Sequence, residues 1–230
     1  MGYNVYCEIT SLFFLVVIYI FYQIQYKNKN VLNVQFKVLM IMVFIMVALD
    51  VASAITLDHF KEIPIWVNII LNALDFQFVA ISAFYFLRYV VILSTKTKEK
   101  PALEFNKKLI IVYLISQIAN VFCGFYFKID PVKGYIHGQL YYVMIFLNYF
   151  IVVEGLVVLV RNRKNLSKRE VIAASSYTIL MLMAGYIQLV LLPSVLLTGV
   201  ASVITVIIIY LTLETPDYAK LIGTVRIFKI

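Results

Sequence analysis

Three acidic residues interrupt long apolar runs of this 230-residue chain: Asp50, Asp75 and Glu154. A carboxylate at membrane depth must meet a cation or keep its proton, because an unpaired charge in hydrocarbon is costly. Each is therefore a candidate for ligand, ion or proton chemistry. Around Asp75 the residues Asn68, Asn72 and Ser82 recur at helical spacing, and all four fall within about 80° of arc on one helix face. Gln77 and Arg88 lie on the opposite side. A polar stripe on a membrane helix must face the bundle interior, and its outer part would line a wet crevice. Asp50, Gln117, Asn120, Asn148 and Gln188 sit at comparable depth and are candidates to converge there. The ligand-binding candidates are thus Asp50, Asn68, Asn72, Asp75, Asn120, Asn148 and Gln188. The competing reading is packing: membrane amides and hydroxyls bond between helices at about 1 kcal/mol per contact. Both readings stand at this point.

Other chemistries find no support. The only histidines, His59 and His137, fall in separate connections, and no His-Glu-x-x-His spacing exists. The glycines form no phosphate-cradling loop. The last apolar run holds no lysine for a retinal Schiff base. No catalytic residue, metal site or cofactor is expected, and no enzymatic activity. Cys7 and Cys123 both fall near one end of the apolar runs, so a disulfide between them is geometrically open; small apolar filling is the plainer role.

The elements that must position these residues follow from composition. The chain is 63% hydrophobic and 14% charged, with a mean hydropathy of +0.94. A soluble domain runs at about 45–50% apolar and about 25% charged. Apolar surface on this scale needs a bilayer as solvent. Long apolar runs predict seven helices, at residues 8–26, 36–57, 65–93, 109–127, 139–160, 170–192 and 194–213. Between the sixth and seventh, Pro193 is the only strong break.

Alternate connections separate the basic residues sharply. Seventeen of the 20 lysines and arginines fall on the side that begins with residues 27–37; Lys61, Lys128 and Lys133 fall on the other. The positive-inside rule makes the first side cytoplasmic. The net charge of +8 therefore reports topology, not nucleic-acid binding. The expected fold is all-α: a polytopic, seven-transmembrane-helix bundle in the cell membrane, N-terminus outside and C-terminus cytoplasmic. Glu8 precedes the first apolar run and the lysines follow it, the reverse of a cleaved signal peptide. The outer connections are turn-sized, so a ligand must enter between helices.

Small residues mark close packing: Ala48 and Ala52, then Ala174, Ala184 and Gly185, then Thr198, Ser202 and Thr205 in the seventh run. That last stripe suits a sliding helix. Beyond it, Thr215 is a good N-cap, Pro216 fits a first helical position and Asp217 complements the helix dipole. Residues 1–213 thus form the membrane domain. Residues 214–230 form a cytoplasmic linker helix or the first turns of a truncated signalling helix. Glu154, Thr198, Ser202, Thr205, Thr215, Pro216 and Asp217 are the coupling candidates.

The seven-helix layout, the segment Tyr135-Ile136-His137-Gly138-Gln139-Leu140-Tyr141-Tyr142 and the exit motif Leu213-Glu214-Thr215-Pro216-Asp217-Tyr218 resemble seven-helix sensor regions of Gram-positive bacterial signalling proteins. In that family the region precedes a GGDEF-type diguanylate cyclase or a histidine kinase. The chain contains no GGDEF, ATPase or receiver motif, so the resemblance implies sensing and coupling without an output activity. Its implied partners are the lipid bilayer, an unknown small ligand, a second copy in a homodimer, and a cytoplasmic output domain or protein, with no nucleic acid. The alternative function is a small proton- or cation-coupled transporter or channel, which the intramembrane carboxylates would suit. Against it, the halves show no convincing repeat and no paired Gly/Pro-broken helices.

Overall fold

The computed structural model describes residues 2–25, 30–95 and 101–214. The architecture is all-α apart from one short hairpin. The helices are α1 (Tyr6–Gln25), α2 (Val31–Asp58), α3 (Ile65–Thr95), α4 (Pro101–Cys123), α5 (Tyr141–Arg161), α6 (Lys168–Tyr186) and α7 (Thr198–Ile209). Strands β1 (Phe127–Asp130) and β2 (Gly134–His137) pair antiparallel, with Phe127 opposite His137. Single π-helical turns extend α6 over Ile187–Leu191 and α7 over Tyr210–Glu214.

Five helices, α1, α2, α3, α5 and the extended α6, are long and apolar enough to cross a membrane. The extended α7 is apolar but shorter, spanning Thr198–Glu214. Helix α4 opens with Glu104, Asn106, Lys107 and Lys108, which shortens its apolar part. Large apolar side chains such as Phe13, Phe122 and Phe146 stand exposed on the outer faces, as helices solvated by lipid require.

Consecutive contacts α1–α2–α3–α5–α6–α7 close back from α7 onto α1, and α4 packs against α3 outside this ring. Helix α3 is the central element, touching α2, α4 and α5. Phe86 of α3 stacks on Tyr177 of α6 with ring centroids 3.8 Å apart. Gly155 of α5 permits this, since a Cβ there would meet Phe86 at 3.2 Å.

The fourth run departs from the sequence expectation of a helix over 109–127. Helix α4 ends at Cys123, and Gly124 adopts φ +64°, the left-handed region open to glycine. Phe125, Tyr126 and Phe127 then leave the helix for the hairpin. Asn120 explains the turn: its Oδ1 accepts from the Tyr126 and Phe127 amides at 2.7 and 3.4 Å, and its Nδ2 donates to the Phe127 carbonyl at 3.3 Å. At the hairpin tip the Asp130 carboxylate accepts from the Val132 and Lys133 amides at 2.8 and 2.9 Å. These bonds hold its carboxyl below the usual carboxylate range.

Gly138 seats the hairpin on the bundle. Its amide donates to the Tyr126 carbonyl at 2.8 Å, and a Cβ at this position would collide with the Phe125 carbonyl, which is backbone and cannot rotate away. Gly138→Ala should therefore lower stability by roughly 1–3 kcal/mol. Thermal unfolding in detergent would read this as a lowered midpoint; an unchanged midpoint would mean that the hairpin is not fixed at Gly138.

Candidate functional site

One end of the helix ring encloses a cavity of about 280 Å³. Helix α3 supplies Asn72, Asp75 and Phe76 to its wall, α2 supplies Asp50 and Ser53, and α5 supplies Tyr141, Asn148 and Tyr149. Gln188, from the π turn after α6, and Thr198, the first residue of α7, complete one side. Among the described residues, no lysine or arginine lines the cavity.

The mouth is framed by three irregular segments. Tyr3 reaches it from the N-terminal strand-like stretch, where Asn4 forms a parallel bridge with Val195 and its amide donates to the Ser194 carbonyl at 2.9 Å. The Tyr3 amide donates to Asp58 Oδ2 at 2.8 Å. Residues 3–4 thus tie the end of α2 to the α6–α7 connection across the cavity. Burial, reinforced by Asp58 and Asp50, raises the Tyr3 phenol above its ordinary value. The hairpin contributes Tyr135 and His137. Tyr135 stacks on Phe127 and His137 on Tyr141, at centroid distances of 5.5 and 3.7 Å.

Burial lowers the His137 imidazole below its ordinary 6.5. Below that ordinary value the unfolded chain binds a proton that folded His137 still refuses, so stability falls as pH falls through 6.5 and levels off below the folded value. The thermal midpoint should therefore drop between about pH 7.5 and 5.5, and His137→Gln should flatten that part of the profile. An identical profile in the variant would remove His137 as the cause.

The polar stripe of α3 is buried: Asn68, Asn72, Asp75 and Ser82 are all less than a tenth exposed, while Arg88 on the opposite face is exposed. Asp75 lies between helices, and its Oδ1 has no hydrogen-bond partner. Of the sequence candidates, the cavity brings together Asp50, Asn72, Asp75, Asn148, Gln188 and Thr198. Asn68 is buried outside the cavity wall, where its carbonyl accepts from Asn72 Nδ2 at 2.8 Å. Asn120 holds the hairpin instead.

The remaining coupling candidates separate in the same way. Glu154 lies outside the cavity wall and accepts from Asn106 Nδ2 at 2.6 Å, joining α5 to α4. Ser202 and Thr205 are fully buried; their hydroxyls donate to the Thr198 and Ala201 carbonyls at 3.0 and 2.9 Å, within α7. Thr215, Pro216 and Asp217 lie outside the described residues. Cys7 and Cys123 are free and exposed.

Sequence reasoning missed how α7 is held. Its first amides are capped by distant side chains: Gln188 Oε1 accepts from the Leu197 and Thr198 amides at 3.0 and 3.3 Å, and Glu8 Oε1 accepts from the Gly199 amide at 3.2 Å. These groups satisfy the donors that a helix N-terminus leaves open. Glu8 is fully buried and close enough to Asp50 for their carboxyls to interact. Gly199 makes the room, since a Cβ there would press on the Glu8 carboxyl and approach Val47 at 3.1 Å. Gly185 has a matching role beside the cavity, where a Cβ would strike the Tyr149 hydroxyl. At the other end of α7, Glu214 is buried and accepts from the Tyr89 hydroxyl of α3 at 3.0 Å.

Chemically, the cavity offers acceptors and aromatic faces. Among the described residues no group of three or more His, Cys, Asp or Glu is placed to hold a metal ion. No family model, curated protein or solved structure matches this chain.

Proposed function

We propose that the chain is a membrane-embedded sensory input module: occupation of the cavity biases α7, which passes the change toward the cytoplasmic exit at Glu214. In this reading the ring sits in the cell membrane as seven spans, with the cavity mouth outside and residue 214 inside. The charge asymmetry supports that orientation: among the described residues the mouth end carries Lys61, Lys128 and Lys133, while Lys37, Arg88, Lys107, Lys108, Arg161, Arg163, Lys164, Lys168 and Arg169 belong to the opposite end. The two less apolar or shorter members, α4 and α7, cross as parts of the bundle, where neighbouring elements bury Asn106, Gln117 and Asn120 of α4 and Ser202 and Thr205 of α7.

The observation that carries the reading is the placement of the first turn of α7. Thr198 lines the cavity, and the neighbouring amides are held by Gln188 and Glu8, which belong to the surrounding elements. An occupant that touches this wall meets the bonds that set the position of α7. It must bind two arrangements of α7 unequally to signal, and the shift equals that difference in affinity. From Thr198 to Glu214 the helix extends about 24 Å, ending at the Tyr89 clasp. The resemblance of the layout and exit motif to bacterial seven-helix sensor regions agrees with this direction of flow. A homodimer and an output domain or protein belong to the same proposal.

Asp75→Asn in a fusion to a reporter output tests the site. The variant should keep its fold and surface level but lose at least about 90% of the stimulus response, because a neutral amide cannot replace a carboxylate facing the cavity. An unchanged response would reject the cavity as the input site. Reconstituted liposomes separate the transport reading: Asp75-dependent ion flux would favour a proton- or cation-coupled carrier over a sensor.

A further inference from the structure

The chemistry of the cavity narrows what it would accept, and the argument rests on the cavity being a binding site, as proposed above. Asp50 and Asp75 face the space, and Glu8 stands behind Asp50. Among the described residues no lysine or arginine in the wall offsets them, and the one imidazole there, His137, is held toward its neutral form by burial. Asp75 is 8% exposed and its Oδ1 has no partner. Asn148 Oδ1, also on the cavity, lacks a partner as well. The Tyr135 hydroxyl, which can donate or accept, is unpartnered too. The unfilled capacity is thus mainly for donors: two acceptor oxygens on facing helices wait for N–H groups.

The rest of the wall mixes aliphatic side chains with aromatic rings. Tyr3, Phe76, Tyr135, Tyr141 and Tyr149 contribute rings from the N-terminal stretch, α3, the hairpin and α5. Ring faces attract cations within about 6 Å of the centroid, most strongly where water is excluded. A bare metal ion is a poor match, because no group of three or more ligating side chains is gathered among the described residues. An anion would meet carboxylates without a compensating cation. The volume also argues for an organic body: a cavity of about 150 Å³ admits benzene, and this one is about 280 Å³.

We propose that the cavity binds a small organic ammonium ion, its N–H groups directed at Asp75 and Asn148 and its apolar body packed among the tyrosine rings. The cationic head offsets the acidic wall, and the body fills the space between α3, α5 and the hairpin. One edge of that space is Thr198, so an amine long enough to span the cavity reaches the capped start of α7.

The test uses the full chain in lipid nanodiscs and three probes: 2-phenylethylammonium, its neutral counterpart 2-phenylethanol, and potassium ion. Calorimetric titration should give saturable binding of 2-phenylethylammonium with Kd below ~10 mM, at least about tenfold weaker binding of the alcohol, and no heat from potassium that competes with the amine. Asp75→Asn should weaken amine binding by at least about tenfold while the thermal midpoint of the unliganded protein stays within a few degrees of the parent. Tyr135→Leu, which removes a ring but no charge, should weaken the amine more than the alcohol. Equal affinity for amine and alcohol would overturn the proposal. So would binding unaffected by Asp75→Asn, the absence of amine binding up to ~10 mM, or displacement of the amine by potassium alone. The sensory reading fails separately: Asp75-dependent amine binding that leaves the reporter fusion silent keeps the ligand class and removes the coupling.

Discussion

Gly199→Val should destabilise the bundle by about 2–6 kcal/mol and uncouple α7 from the cavity. The new side chain must occupy the place of the Glu8 carboxyl, which is fully buried between α1 and α7. Val47 closes the other side. Overpacking a filled site costs roughly 1–3 kcal/mol. Displacing Glu8 adds the loss of the acceptor for the Gly199 amide, about 1–3 kcal/mol for a buried unsatisfied group. The thermal midpoint in detergent should fall by several degrees. Glu8→Gln is the control: the amide oxygen can still accept from the Gly199 N–H, so its midpoint should remain close to that of the parent. Equal loss in both variants would mean that charge, not space, sets the α1–α7 contact.

Tyr89→Phe should weaken the output without weakening the cavity. The Tyr89 hydroxyl donates to Glu214 at 3.0 Å, with both side chains buried. A hydrogen bond contributes about 0.5–1.5 kcal/mol net, and about 1.5–3 kcal/mol where the acceptor is charged. Tyr89 stands about 21 Å along α3 from Asp75, too far to touch an occupant of the cavity. Removing the hydroxyl should therefore leave ligand affinity within about twofold of the parent and reduce the reporter response by at least about fivefold. Affinity and response falling together would indicate that the whole bundle has loosened, and the clasp would lose its specific role.

Much of this arrangement was legible in the residue order. The stripe of Asn68, Asn72, Asp75 and Ser82 could be read because helical periodicity is local, and the burial of these four residues follows from it. Asp50 and Asp75 stood out because so little else in the chain is charged. What escaped depended on contacts between distant segments. Glu8 reads as a flanking charge when the first helix is placed at residue 8. The helix begins at Tyr6, which brings Glu8 into its first buried turn opposite Gly199. The only local hint was a glycine at the start of a run rich in Val, Ile and Thr. The hairpin escaped because Phe125-Tyr126-Phe127 continues an apolar run without a break in hydropathy. The break is conformational: Gly124 takes a positive φ and Asn120 folds back on the following amides. Gln188 reads as one more membrane amide, and its use as a cap for α7 depends on the π turn after Tyr186.

Two free, exposed cysteines make the central claim directly measurable once both are replaced by serine. Nitroxide labels at Arg88 on α3 and Leu211 near the end of α7, both exposed, would report the distance between the two elements that meet at the Tyr89–Glu214 clasp. Double electron–electron resonance in nanodiscs should show the Arg88–Leu211 distance distribution shifting when 2-phenylethylammonium saturates the cavity, with no shift in the Asp75→Asn background. A distribution that stays the same with the cavity demonstrably occupied would contradict coupling through α7.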